Sequence, residues 1–237
     1  MKNKLAVFDF DMTIKQFSPG FTCQGLSNLF PNQKIPSEIL DIKKEMRWDD
    51  FSKFLIEKIN QQLKMTKKDI IDSVANDGEL ITGMDKLIKF LSKDHDIIII
   101  SGCNVEFIKI FLENYNLLEF ITDIFSKPST ITDSGKILIS PLPKEWGEFC
   151  KITNRKFCKA AVLQYFLKDR NYDKILYIGD GENDLCPALN LSAKDLVCPR
   201  IGYKLDTKIK EFCIQAQIVP WSTGQDILDC VSNMNNF

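Results

Sequence analysis

Three short apolar runs, the first interrupted only by Asp9, constrain this chain more than any other feature. They are Leu5 to Phe10 before Asp11-Met12-Thr13, Ile97 to Ile100 before Ser101-Gly102, and Ile175 to Ile178 before Gly179-Asp180-Gly181. A strand with one wet face alternates apolar and polar side chains. Continuous hydrophobicity therefore predicts strands covered on both faces, as in a parallel sheet. Helical spacing lies between them: apolar residues at 84, 87, 88 and 91, at 105, 108, 111 and 112, and at 158, 162, 163, 166 and 167. Such alternation predicts an α/β fold with a doubly wound parallel sheet. The polar residues that end each run then stand where ligands bind in open α/β sheets.

The interval from Ile14 to Gly83 breaks the alternation. Helical patterns run from Ser37 to Met46, from Trp48 to Leu63 and from Thr66 to Val74, with Pro31 and Pro36 punctuating the approach. Thr66 and Asp69 have the spacing of a capping box with a carboxylate at the third helical position. So long a helical stretch between two sheet strands is read as an inserted helical cap, 14–83, on a core domain of 1–13 and 84–237. Ser129 to Thr132 and Lys136 to Ser140 flank Asp133-Ser134-Gly135 and predict a small β-hairpin. Trp48, Phe51 and Phe54 are read as packing between the inserted helices, with cover for a flat ring as the alternative.

Composition narrows the classes of partner. Lys plus Arg number 31 against 32 for Asp plus Glu. That balance gives no reason to expect nucleic acid or an anionic membrane. No run approaches the length of a membrane span, and Asp9 and Asp11 interrupt what would be a signal-peptide core. The chain is read as cytoplasmic. Its eight cysteines, 23, 103, 150, 158, 186, 198, 213 and 230, include no C-x-x-C pair. The spacing suggests neither a zinc site nor a disulfide framework, so they are read as reduced packing residues. The single histidine, His95, stands at the entrance to a strand, a poor place for a catalytic base.

The chemistry is concentrated in acids. Asp9 and Asp11 stand one residue apart at the end of the first run, and on a strand would share a face. Asp180 and Asp184 in GDGEND form a second pair behind the third run. Three or four carboxylates in one small volume need a cation, and hard oxygen ligands select Mg²⁺, which joins carboxylates to a substrate phosphate. Gly179 and Gly181 allow close backbone approach. The combination points to phosphoryl transfer with a carboxylate nucleophile and a metal clamp.

DFDMT resembles the D-x-D-x-T motif of the haloacid dehalogenase superfamily of phosphatases, Ser101 its second motif and GDGEND its fourth. That fold is Rossmann-like, with a helical cap where 14–83 lies. Asn183-Asp184-Leu185-Cys186-Pro187 and Pro199-Arg200-Ile201-Gly202-Tyr203 are similar to segments of the phosphoethanolamine/phosphocholine phosphatase and pyridoxal phosphate phosphatase branch. The resemblance implies Asp9 as nucleophile forming an aspartyl-phosphate, and Asp11 as the acid and base that serves leaving group and water. It implies Mg²⁺ held by Asp9, the Asp11 backbone carbonyl, Asp180 and Asp184, the last directly or through water. Ser101 and the N–H groups around Gly102 would hold phosphate oxygens, with Lys159 as the third-motif lysine and Lys156 and Lys127 as rivals.

Relatives carry an acid after the second-motif serine, where this chain has Gly102. They also carry acids after the first motif, where it has Lys15-Gln16-Phe17-Ser18-Pro19-Gly20. Those acids suit a substrate ammonium group. The expectation is thus a small phosphorylated metabolite, pyridoxal 5′-phosphate before phosphoethanolamine or phosphocholine. A non-catalytic binding protein on the same fold and a receiver-like phospho-acceptor are the alternatives from other classes.

Overall fold

A computed structural model describes residues 2–17, 29–30, 35–62, 64–146, 149–153 and 157–234, without the side chains of Trp48 and Asp49. Lys156, Cys23, Pro31, Leu63 and the stretch 18–20 lie outside the described residues, as does the Trp48 ring. The elements in chain order begin with β1 (Lys4–Phe8), β2 (Lys15–Gln16), α1 (Ser37–Lys43), α2 (Trp48–Gln62), α3 (Lys67–Ala75), β3 (Glu79–Leu80) and α4 (Met84–Leu91). There follow β4 (His95–Asn104), α5 (Val105–Asn114), β5 (Asp123–Lys127), β6 (Ser129–Ile131), β7 (Ile137–Ile139), α6 (Lys159–Leu167) and β8 (Lys174–Gly179). The chain ends with α7 (Leu185–Ala188), β9 (Leu196–Pro199), α8 (Lys204–Lys208), β10 (Gln217–Ile218) and α9 (Gly224–Asn233).

The main sheet has six strands in the order β10-β9-β8-β1-β4-β5, and every pair is parallel. From β1 the chain builds outward through β4 and β5, then returns to the other side of β1 for β8, β9 and β10. That reversal places the switch point at β1, between β4 and β8. The unbroken apolar runs are explained by two buried faces. Ala6, Phe8, Ile97, Ile99, Leu176 and Ile178 pack on one side with Leu87, Phe111 and Ile227. Leu5, Val7, Ile98, Ile100, Ile175 and Tyr177 pack on the other with Val162, Ala188 and Leu205. Each fully buried Leu, Ile or Phe contributes about 1.5–3 kcal/mol relative to exposure.

Two strands differ from the reading of the sequence. The first ends at Phe8, not Phe10, because the Phe10 carbonyl accepts hydrogen bonds from Thr13, Ile14 and Lys15 and curls the chain into a turn. Asp9 and Asp11 therefore follow the strand instead of sharing its face. The second runs on through Ser101 and Gly102 to Asn104, with a register shift between Ile100 and Asn104, so that α5 begins only at Val105.

In the interval 14–83, β2 pairs antiparallel with β3, and Ile81 N–H donates to the Ile14 carbonyl at 3.0 Å. The buried Lys15 and Asp77 side chains form an ion pair at 2.5 Å across the same junction. Three helices fill the space between, and the capping box on Thr66 is present. Phe51 is fully buried and Phe54 packs against the same apolar cluster, which is continuous with one face of the sheet. The hairpin β6–β7 is antiparallel, and the Asn60 amide ties α2 to it through both the N–H and the carbonyl of Ile137. No helix among the described residues is long and apolar enough to cross a membrane.

Candidate active site

β1 and β8 are neighbours, with Phe8 opposite Ile178, and the sheet bonding continues one step further as Asp9 N–H donates to the Ile178 carbonyl at 2.9 Å. Asp9 is thereby fixed at the switch point, buried beside the GDGEND turn. A carboxylate oxygen from each of Asp9, Asp180 and Asp184 lies within 4.8 Å of the others. Lys159, the first residue of α6, reaches in from the opposite helix layer. Its Nζ stands 2.7 Å from Asp9 Oδ2 and 2.7 Å from Asp184 Oδ1. Lys127, by contrast, donates to Ser52 Oγ on α2 at 2.9 Å.

Asp184 is completely buried. Its Oδ1 accepts from Lys159 and from the Tyr177 hydroxyl at 2.7 Å, and its Oδ2 from the N–H groups of Asp180 and Gly181 at 3.2 and 2.9 Å. A carboxylate has about four lone-pair sites, so Asp184 is saturated within the protein. Asp9 and Asp180 keep more of their lone pairs for an ion, and Asp184 in the same group could complete the ion's shell through water. Asp9 accepts from Phe10 N–H at 2.6 Å, and Asp180 accepts from the Thr13 hydroxyl at 3.3 Å.

The electrostatics agree. Burial pushes the Asp9 carboxyl well above the ordinary range; Lys159 opposes the shift, while Asp184 and Asp180 add to it. Burial, then the charge of Asp184, raises Asp180 from 3.8 to about 7. Burial alone would lower Lys159, yet Asp184 and Asp9 hold it above its usual value. Among the described residues the cluster sets three carboxylates against one ammonium, which with all three ionised would leave two negative charges in a buried volume. A hard divalent cation fits that deficit and that donor set. In protein freed of divalent ions, the folded state keeps a proton on Asp180 that the unfolded state releases between 3.8 and about 7. Stability is therefore expected to fall as pH rises through that window, and Mg²⁺ to offset the loss. Thermal melts from about pH 4 to about pH 8, with and without Mg²⁺, check this sign.

Gly179 is required by close approach. A Cβ there would lie 2.5 Å from Asp184 Cγ, so Gly179→Ala must displace the carboxylate that holds Lys159. Its expected result is a drop in turnover of roughly 10²-fold, from misplacement alone. Steady-state kinetics alongside a melting curve separate this from unfolding.

Asp11 lies at the turn, and its side chain is not in the three-carboxylate group, although its charge contributes to the rise at Asp180. Met12 beside it has φ of 59°. Ser101 and Gly102 lie on β4, the strand next to β1. Ser101 is buried and its Oγ accepts from Cys103 N–H at 3.1 Å; a Cβ on Gly102 would meet open space. His95 begins β4 at the far end of the sheet, bonded to Asp94.

Two residues were given no role in the sequence reading. Tyr177 anchors Asp184, and its signal was a lone hydroxyl inside an aliphatic run. Arg200, buried at the end of β9, donates from Nη1 to the Met12 carbonyl and from Nη2 to Gln16 Oε1, each at 2.7 Å. Its guanidinium stacks on Tyr203 and Trp221, 4.4 and 5.3 Å from the ring centroids. It clamps the turn that carries Asp11; an arginine directly behind a buried run was the available clue.

A family profile described as Putative Phosphatase matches residues 4–234. The chain is 29% identical over 237 residues to a bovine (Bos taurus) pyridoxal phosphate phosphatase PHOSPHO2, covering 94% of this chain and 95% of that one. It is 28% identical to a phosphoethanolamine/phosphocholine phosphatase from Gallus gallus, covering 94% and 85%. Among solved structures, a haloacid dehalogenase family hydrolase from Salmonella enterica serovar Typhi aligns with a TM-score of 0.67 at 17% identity, over 99% of this chain and 72% of that one. A phosphoserine phosphatase captured as a phospho-aspartyl intermediate analogue aligns at 0.61 and 17% identity, over 97% and 99%. With this sheet, this buried acid cluster and a family match over nearly its whole length, the chain belongs to the Putative Phosphatase family and is a phosphatase with the haloacid dehalogenase-like fold.

Proposed function

We propose that this phosphatase is a Mg²⁺-dependent phosphomonoester hydrolase that acts on a small phosphorylated metabolite through an aspartyl-phosphate on Asp9. The observation that carries the reading is the buried contact of Asp9 with Lys159 at a strand end shared with Asp180 and Asp184. Mg²⁺, held by Asp9, Asp180 and the Asp11 backbone carbonyl, would neutralise and align the phosphate. The charges of Mg²⁺ and Lys159 together would hold Asp9 ionised against the burial that raises it, so that Oδ1 or Oδ2 can attack phosphorus as the ester oxygen departs. Asp11 donates the proton to the leaving alkoxide, then takes one from the water that cleaves the acyl phosphate. Ser101 and the backbone around Gly102 receive phosphate oxygens from the β4 side. Asp184 positions Lys159, with Tyr177 behind it.

The interval 14–83 acts as the cap, with its entry and exit pinned by the β2–β3 pair and its helix α2 joined to the core through Ser52 and Lys127. Free thiols at the described cysteines suit the reducing cytoplasm. For the leaving group we favour pyridoxal 5′-phosphate over the amines. Open space at Gly102, where an ammonium would want a carboxylate, supports that ranking. The test is phosphate release with Mg²⁺ from pyridoxal 5′-phosphate, phosphoethanolamine and phosphocholine. Faster turnover of the pyridoxal ester is expected. The reverse ranking overturns the substrate, and no Mg²⁺-dependent release from any of the three overturns the hydrolase mechanism.

A further inference from the structure

Three of the cysteines that the sequence scatters along the chain converge. The Sγ atoms of Cys150, Cys158 and Cys186 all lie within 4.8 Å of one another, and Cys158 and Cys186 are 3.8 Å apart. They come from three places: a turn before α6, the residue capping α6, and the second residue of α7. With Ala160 they form a small cluster of their own, apart from both main cores.

We propose that Cys150, Cys158 and Cys186 form a thiolate site for Zn²⁺ or a similarly soft d¹⁰ ion, separate from the carboxylate cluster and independent of the substrate reading. Tetrahedral Zn²⁺ with bonds of about 2.3 Å separates its sulfur ligands by about 3.8 Å, the distance found between Cys158 and Cys186. A disulfide would use two of the sulfurs and strand the third, whereas one ion takes all three. Soft sulfur ligands reject Mg²⁺ and select Zn²⁺, so the two sites sort their ions by chemistry. Cys158 is only partly buried, so water could supply a fourth ligand.

The site would have a consequence for the acid cluster. Cys158 directly precedes Lys159, and Cys186 follows Asp184 by two residues. An ion between those sulfurs would fasten the main chain on both sides of the Lys159–Asp184 contact.

The test uses the full chain, reduced and stripped with a chelator, and Co²⁺ and Zn²⁺ alone as probes in excess Mg²⁺. Expected is a thiolate-to-cobalt charge-transfer band that saturates at one equivalent, is bleached by Zn²⁺, disappears in Cys150→Ser and persists in Asp180→Asn. Wild-type protein supplies a reading that needs no variant. Zn²⁺ should slow alkylation of three thiols at least about tenfold, because the metal-bound sulfur is no longer a free nucleophile. No cobalt–thiolate band in wild type, or equal alkylation with and without Zn²⁺, overturns the site. So does a Cys158–Cys186 disulfide in protein purified under reductant.

Discussion

Replacing Asp9 with asparagine is expected to abolish Mg²⁺-dependent phosphate release, by a factor on the order of 10⁴ or more, as losses of a nucleophile do. The substitution is nearly isosteric, so the Asp9 N–H bond to Ile178 and the Phe10 turn should survive it. It also removes one of three crowded carboxylates, whose burial and repulsion push Asp9 far above the ordinary range. The metal-free variant should therefore melt no lower than wild type. Loss of turnover with undiminished melting temperature would mark a chemical role. Release that persists in Asp9→Asn, measured with p-nitrophenyl phosphate and with pyridoxal 5′-phosphate, would remove Asp9 from the mechanism.

Lys159→Met should do the opposite to stability. The methionine fills most of the same volume but leaves Asp9 and Asp184 facing one another without the ammonium between them. Breaking a buried ion pair from one side costs about 3–5 kcal/mol. The metal-free protein should accordingly show a clear loss in urea titration near neutral pH. Mg²⁺ should restore part of that loss by supplying positive charge to the same volume. Turnover should fall on the order of 10²- to 10³-fold even with saturating Mg²⁺, since a preorganised charge at the reacting phosphate is gone. Unchanged stability in the metal-free variant would mean that the Lys159 contacts carry little weight in solution.

The central strands were legible because two buried faces leave unbroken apolar runs, and the acid pairs because each stands directly behind such a run. The hairpin and the Thr66 cap were legible because their signals are local. What escaped depends on contacts between distant positions. Arg200 meets Met12 across 188 positions, and no spacing rule connects them. Tyr177 was hidden by a run in which its ring packs like the neighbouring isoleucines while only its hydroxyl works. Strands as short as β2, β3 and β10 hold too few residues for a period to register. The three cysteines fall in one place because α6 packs against α7, which follows β8 in the chain. The early end of β1 is of another kind: Phe10 is as apolar as its predecessors, and the turn is set by what its carbonyl accepts.

The Lys15–Asp77 pair joins residues 62 positions apart, so a buried ion pair closes the two ends of the interval 14–83 beside β2 and β3. A stretch closed by a pair that water scarcely reaches keeps its two ends together. A change of length between those ends is then expected to leave the register of β1 with β4 and β8 in place.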